Sequence, residues 1–201
     1  MEYTTNRKAV AVCDPTLEPR KAAVVAKYGD FDKFNERWSV NNMRSIAANA
    51  ELSVERGVPT LGMMIATYSK DCIQQNLVNL LIGLVYRMGE TNIAPENIKT
   101  IAESITDSTP LRYLNYAFVV RFFSKIEQGE YKLYSCKPHQ FMNAFQEYAK
   151  DAIMVQRALE ADAESRRKAV EWEEHRKSAI SFDEFKRRTG YRGDNPIQQT
   201  I

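Results

Sequence analysis

Leu77-Val78-Asn79-Leu80-Leu81-Ile82-Gly83-Leu84-Val85-Tyr86-Arg87-Met88 is the most apolar stretch of the chain. Within it Leu77, Leu80, Leu81, Leu84, Val85 and Met88 recur at i, i+3, i+4, i+7, i+8 and i+11. That spacing lays one stripe along an α-helix, and a stripe this apolar must be buried against other helices. Gly89 follows, where a left-handed residue ends a helix at little cost. The stretch contains Asn79, Gly83 and Arg87 and is far shorter than the roughly 20 apolar residues that span a bilayer. It therefore reads as the core helix of an all-α protein, a compact multi-helix bundle.

Outward from this helix, the punctuation is equally helical. Upstream, Leu61, Met64, Ile65 and Tyr68 predict a short helix before a kink near Ser69, and Val58-Pro59-Thr60 marks a break before it. Further back, Phe31, Phe34 and Trp38, then Met43, Ile46, Ala47, Ala50 and Val54, predict a helix or pair of helices capped by Asp30 and ending near Gly57. A first helix is expected from about Glu18 to Lys27. Downstream, Pro95 suits a first helical turn, where its missing N–H is no loss. Ile98, Ile101, Ala102 and Ile105 form that helix's apolar face, and Asp107-Ser108-Thr109-Pro110 stops it. Asn115 is placed to cap a helix whose Phe118, Val119, Phe122, Phe123 and Ile126 face the core. Pro138 opens the next, with Phe141, Ala144, Phe145, Tyr148, Ala152 and Val155 on one side.

After residue 156 the character changes. Arg157, Arg166, Arg167, Lys168, Arg176 and Lys177 are matched by Glu160, Asp162, Glu164, Glu171, Glu173 and Glu174, with little apolar content between. This pattern predicts an exposed helix laced by ion pairs. Ser181-Phe182-Asp183-Glu184 is a capping box, so a second short helix runs from there to Gly190. The expected layout is an N-terminal arm over 1–15, with a short strand at Ala9–Cys13, then N-terminal helices over 16–57. A central helical bundle over 58–155 and a charged helical tail over 156–201 complete it.

Composition removes whole classes of function. The 201 residues carry 28 Lys and Arg against 26 Asp and Glu, so the net charge of +2 creates no global field for nucleic acid. Eight glycines, scattered as helix stops, form no phosphate-cradling loop. Cys13, Cys72 and Cys136 are odd in number and widely spaced, which implies no disulfide framework and fits a reducing cytoplasm. The apolar run Ala9–Cys13 is too short for a signal-peptide core. Of the two histidines, His139 has only Cys136 at a ligand-like spacing, and His175 has no second histidine on its helix face. Cys72 reads as a buried structural thiol, with no paired base near it in sequence. No catalytic, cofactor-binding or metal-binding residue is assigned, and the chain reads as a non-enzyme.

Two surfaces remain. Arg112, Tyr113, Arg121 and Lys132 mix cations with aromatic rings, as single-strand binders do, and are candidate nucleic-acid contacts beside a mainly core reading. Phe182 and Phe185, at i and i+3 on the short capped helix and flanked by Lys186, Arg187 and Arg188, are the stronger candidates for binding a protein partner. Arg192 extends that basic run.

Residues from Val58-Pro59-Thr60-Leu61 to Tyr148-Ala149-Lys150 resemble a family of small helical proteins encoded by bacteriophages and mobile elements of gut bacteria. Tyr113-Leu114-Asn115-Tyr116-Ala117, Phe122-Phe123, Gly129-Glu130-Tyr131, Tyr134 and Phe145-Gln146-Glu147-Tyr148 carry the resemblance. The family pattern has an acidic residue at the position of Phe118 and a second glycine at that of Lys132. It brings no activity or site residue with it. A small helical domain followed by a charged helical tail is similar in layout to phage helicase loaders. That layout points to an adaptor that binds a replicative helicase or initiator in the host cytoplasm, with weak single-strand contact as a further expectation. A virion-associated structural protein and a DNA-binding regulator with a helix-turn-helix among residues 90–150 are the alternatives.

Overall fold

The computed structural model describes residues 16–89, 94–131, 133, 137–179 and 182–190, without the side chains at 182 and 183. The expected arm over 1–15 with its strand, together with Lys132, Tyr134, Cys136, Ser181 and Arg192, lies outside the described residues. The described chain is all-α: α1 (Leu17–Tyr28), α2 (Phe31–Arg37), α3 (Met43–Ala48), α4 (Leu52–Glu55), α5 (Leu61–Tyr68), α6 (Lys70–Arg87), α7 (Pro95–Asp107), α8 (Tyr116–Glu127), α9 (Pro138–Ser178) and α10 (Phe182–Thr189). Short 3-10 turns at Val40–Asn42 and Pro110–Tyr113 precede α3 and α8. Two units are distinct, Met1–Glu160 and Ala161–Ile201.

The caps sit where the sequence puts them. Asp30 accepts from Lys33 N–H at 3.1 Å to open α2, and Asn115 accepts from Ala117 N–H at 2.9 Å to open α8. Gly89 and Gly129 take positive φ just past α6 and α8. The expected kink at Ser69 is real: its φ of 82° breaks α5 from α6, while its hydroxyl accepts from Cys72 N–H at 3.3 Å.

Between Asp30 and Gly57 the chain is more broken than its apolar period suggests, with α2, a 3-10 turn, α3 and α4 in place of one or two helices. Two contacts account for the break. Asn42 Nδ2 donates to the carbonyls of Glu36 and Arg37, satisfying the open end of α2. The turn carrying Val40 also lies directly over Gly83 of α6. A Cβ built on Gly83 would fall 2.4 Å from Val40 Cγ1 and 3.1 Å from Val40 Cβ, so only a glycine admits this approach.

The core is continuous from Val24 to Ala152 and includes the N-terminal helices. At its centre lies α8, of which Tyr116, Ala117, Phe118, Val119, Val120, Phe122, Phe123, Ser124 and Ile126 are buried. It packs against α3 and α6, while α6 also packs on α5 and α7. α9 meets α8 through rings: Phe122 and Phe145 stack at 4.4 Å, with Phe141 edge-on to Phe122 at 5.4 Å. Val155, expected on the buried side of α9, is 44% exposed, and Gln156 is buried instead. Gln156 is four residues after Ala152, so it continues the buried row one helical turn on. Its Oε1 accepts from Asn115 N–H at 2.7 Å and its Nε2 donates to Tyr113 O at 3.2 Å. These bonds pin α9 to the start of α8.

A second polar anchor lies deeper. Asn76 of α6 is fully buried. Its Nδ2 donates to Asn35 Oδ1 at 2.6 Å, and its Oδ1 accepts from Tyr116 Oη–H at 2.6 Å. Burial pushes the Tyr116 hydroxyl far up, so it stays a donor. One amide therefore ties α2, α6 and α8 together.

Candidate functional site

Of the candidate nucleic-acid contacts that are described, Arg112 and Tyr113 stand together and Arg121 lines a separate hollow. Arg112 is exposed beside Gly62, and its Nε donates to Thr106 O at 3.3 Å. Tyr113 is exposed next to it. Arg121 lines a different hollow, with Arg44 and Lys125, and is ion-paired with Glu51. Lys132 lies outside the described residues. The rings that would stack on bases, Phe118, Phe122 and Phe123, are in the core. Nor does α8 keep a free face for a DNA groove, since nine of its twelve residues are buried.

Cys72, expected to be buried, is half-exposed in the first turn of α6, because Ile73 takes the core-facing position beside it. His139 and His175 are both exposed. Among the described residues no three side chains of histidine, cysteine, aspartate or glutamate converge on a point that would hold a metal ion. No helix of the described residues is long and apolar enough to cross a membrane.

The tail has a different character. From Ala161 to Ala179 no described residue is buried. Its charges pair locally, Asp162 with Arg166 at 2.8 Å, Glu164 with Lys168 at 2.6 Å and Glu173 with Arg176 at 2.9 Å. Such i,i+3 and i,i+4 pairs stabilise a helix without any tertiary contact. Lys168 draws the Glu164 carboxyl below its ordinary range, first through their hydrogen bond. On this polar rod Val170 is 58% exposed and Trp172 65% exposed, with the Arg176 guanidinium 5.7 Å from the indole ring.

The short helix α10 carries the sequence-predicted partner residues. Phe185 is 40% exposed, and Lys186, Arg187 and Arg188 are exposed. Arg188 pairs with Glu184 at 2.7 Å. The backbone of Phe182 opens the helix, and its side chain lies outside the described residues. Trp172 and Val170 were not among the residues singled out for binding. Their signal was an apolar side chain with no helical stripe to join. No family model, curated protein or solved structure matches this chain.

Proposed function

We propose that the protein is a non-enzymatic adaptor of a bacteriophage or mobile element, whose helical tail binds a protein of the replication machinery. One observation carries the reading. From Ala161 to Ser178 the chain is helical yet buries none of its residues, and Val170 and Trp172 are mostly exposed on it. This half of α9 gains nothing from packing and is held by its local ion pairs and by the packed first half of the same helix. Binding supplies the burial it lacks, and tryptophan, arginine and phenylalanine are the side chains that anchor protein interfaces. The layout similar to helicase loaders points to a replicative helicase or initiator as the partner, by analogy of architecture alone.

Pull-down from infected or host cells tests this, with the full chain beside a full chain carrying Trp172→Ala and Phe185→Ala. Retention of a replicative helicase or initiator by the first and not the second supports the adaptor. Capture of capsid or portal proteins alone, or self-association alone, sinks it in favour of a virion component.

A further inference from the structure

A cavity of about 470 Å³ opens in the first unit, between the end of α1, the end of α2 and the α3–α4 segment. Its size is that of a small-molecule site. Two aromatic side chains help line it, Tyr28 and Trp38, with ring centroids 6.4 Å apart. They are 5% and 3% exposed. Among the described residues neither Tyr28 Oη nor Trp38 Nε1 has a hydrogen-bond partner, and both atoms are fully buried. A buried donor without an acceptor is costly and uncommon. Here two stand on residues of one cavity.

Lys27, Arg37 and Arg56 also line it, all exposed, and no acidic side chain among the described residues does. Lys27 Nζ and the Arg37 guanidinium lie 5.6 Å and 5.3 Å from the Tyr28 ring centroid. None of the three makes an ion pair among the described residues, whereas Arg44, Arg87, Arg121, Lys70 and Lys125 of the same unit all do. Lys27 Nζ donates to Arg56 O, and three cations with no acidic partner among the described residues mark a local positive site. Ile46 and Val58 complete the wall with apolar surface.

We infer that this cavity binds a small aromatic anion, a planar ring carrying a phosphate or carboxylate. The ring packs against Tyr28, Trp38 and Ile46. Arg37 and Arg56 take the anionic group, with Lys27 beside them.

The test uses the full chain with Trp172→Phe, which leaves Trp38 as the sole tryptophan. Its fluorescence is titrated with ribonucleoside monophosphates, an aromatic carboxylate such as indole acetate, the neutral nucleosides and inorganic phosphate. The expected result is a saturable change with at least one aromatic anion. The matching neutral ring, phosphate alone, and the Arg37→Gln plus Arg56→Gln variant should each bind roughly tenfold more weakly or less. Thermal melts of Tyr28→Phe supply an independent readout. Removing a buried hydroxyl that has no partner among the described residues should leave the ligand-free melting temperature unchanged or raised, and the ring that remains should keep its binding. The inference is overturned if no aromatic anion gives a saturable change, if the double variant binds as well as the parent, or if Tyr28→Phe lowers the ligand-free melting temperature.

Discussion

Glu127 and Glu173 are both glutamates near the end of a helical run and both pair with arginine, but they do different physical work. Glu127 is mostly buried, and its Oε1 lies 2.6 Å from Arg44 Nη2 and 3.0 Å from Arg87 Nε. These partners come from α3 and α6, far away in sequence. Glu173 meets Arg176 three residues on, with both side chains exposed. The first unit uses charge to hold elements together. The tail uses it to hold a helix to itself, leaving its surface available. The same division governs aromatics: Phe122 touches Phe141, Phe145, Tyr131 and Tyr148, while Trp172 meets the cation of Arg176 on its own helix.

The largest effect should come from cutting the ring cluster. Phe122→Ala removes a fully buried ring stacked on Phe145 and should cost about 3–5 kcal/mol in denaturant unfolding. A small cost there would mean that α9 is not held through these rings. Gly83→Ala is a sharper test, because its sign is at stake. Helix propensity alone favours alanine by roughly 0.5–1 kcal/mol. The approach of Val40 reverses this, and because Val40 Cβ itself is close, rotating that side chain brings no relief. Overpacking should destabilise by about 1–3 kcal/mol, with partial recovery on adding Val40→Ala. A more stable Gly83→Ala protein would contradict the close packing of the turn on α6.

Glu127→Gln tests the charge side of the comparison. Arg44, through its hydrogen bond, and then the charge of Arg87 hold the Glu127 carboxyl below the usual carboxylate range, against the opposing effect of burial. Because the folded value is depressed, the pairing contributes stability above the unfolded glutamate value of about 4.3. That contribution is lost as pH falls through the lower folded value. Glu127→Gln should cost about 1–3 kcal/mol at neutral pH and flatten the acid side of a stability–pH profile. The smallest effect belongs to the tail: Trp172→Ala should change unfolding free energy by no more than about 0.5 kcal/mol, while still weakening capture of the partner. A large loss of stability would show that Trp172 packs within the protein and would remove it from the partner surface.

Local signals made most of the helices legible. Asp30, Asn115, Pro95, Gly89 and Gly129 act through bonds and dihedrals within a few residues, so their roles could be read without knowing what packs where. The alternation of charges after residue 156 likewise announced an exposed helix. The candidate partner residues on α10 were legible as an i, i+3 pair of phenylalanines beside a basic run, whereas the unpartnered donors of Tyr28 and Trp38 were not legible at all. Tyr28 and Trp38 look like ordinary core aromatics in sequence, and their missing partners exist only once α1, α2 and α3 surround them.

Periodicity and caps determined that the chain is all-α, where α7 and α8 begin and end, and that an exposed, charged helix follows residue 156. Tertiary packing decided the rest. It broke the segment from Asp30 to Gly57 around Val40 and Gly83, and turned Gln156 inward in place of Val155. It buried Asn76 at the meeting of three helices and assembled Lys27, Arg37 and Arg56 around one cavity. The physical reason is range. A cap or an apolar stripe is decided by neighbours within a turn or two, whereas a buried amide, a close approach or a cluster of like charges depends on residues tens of positions apart.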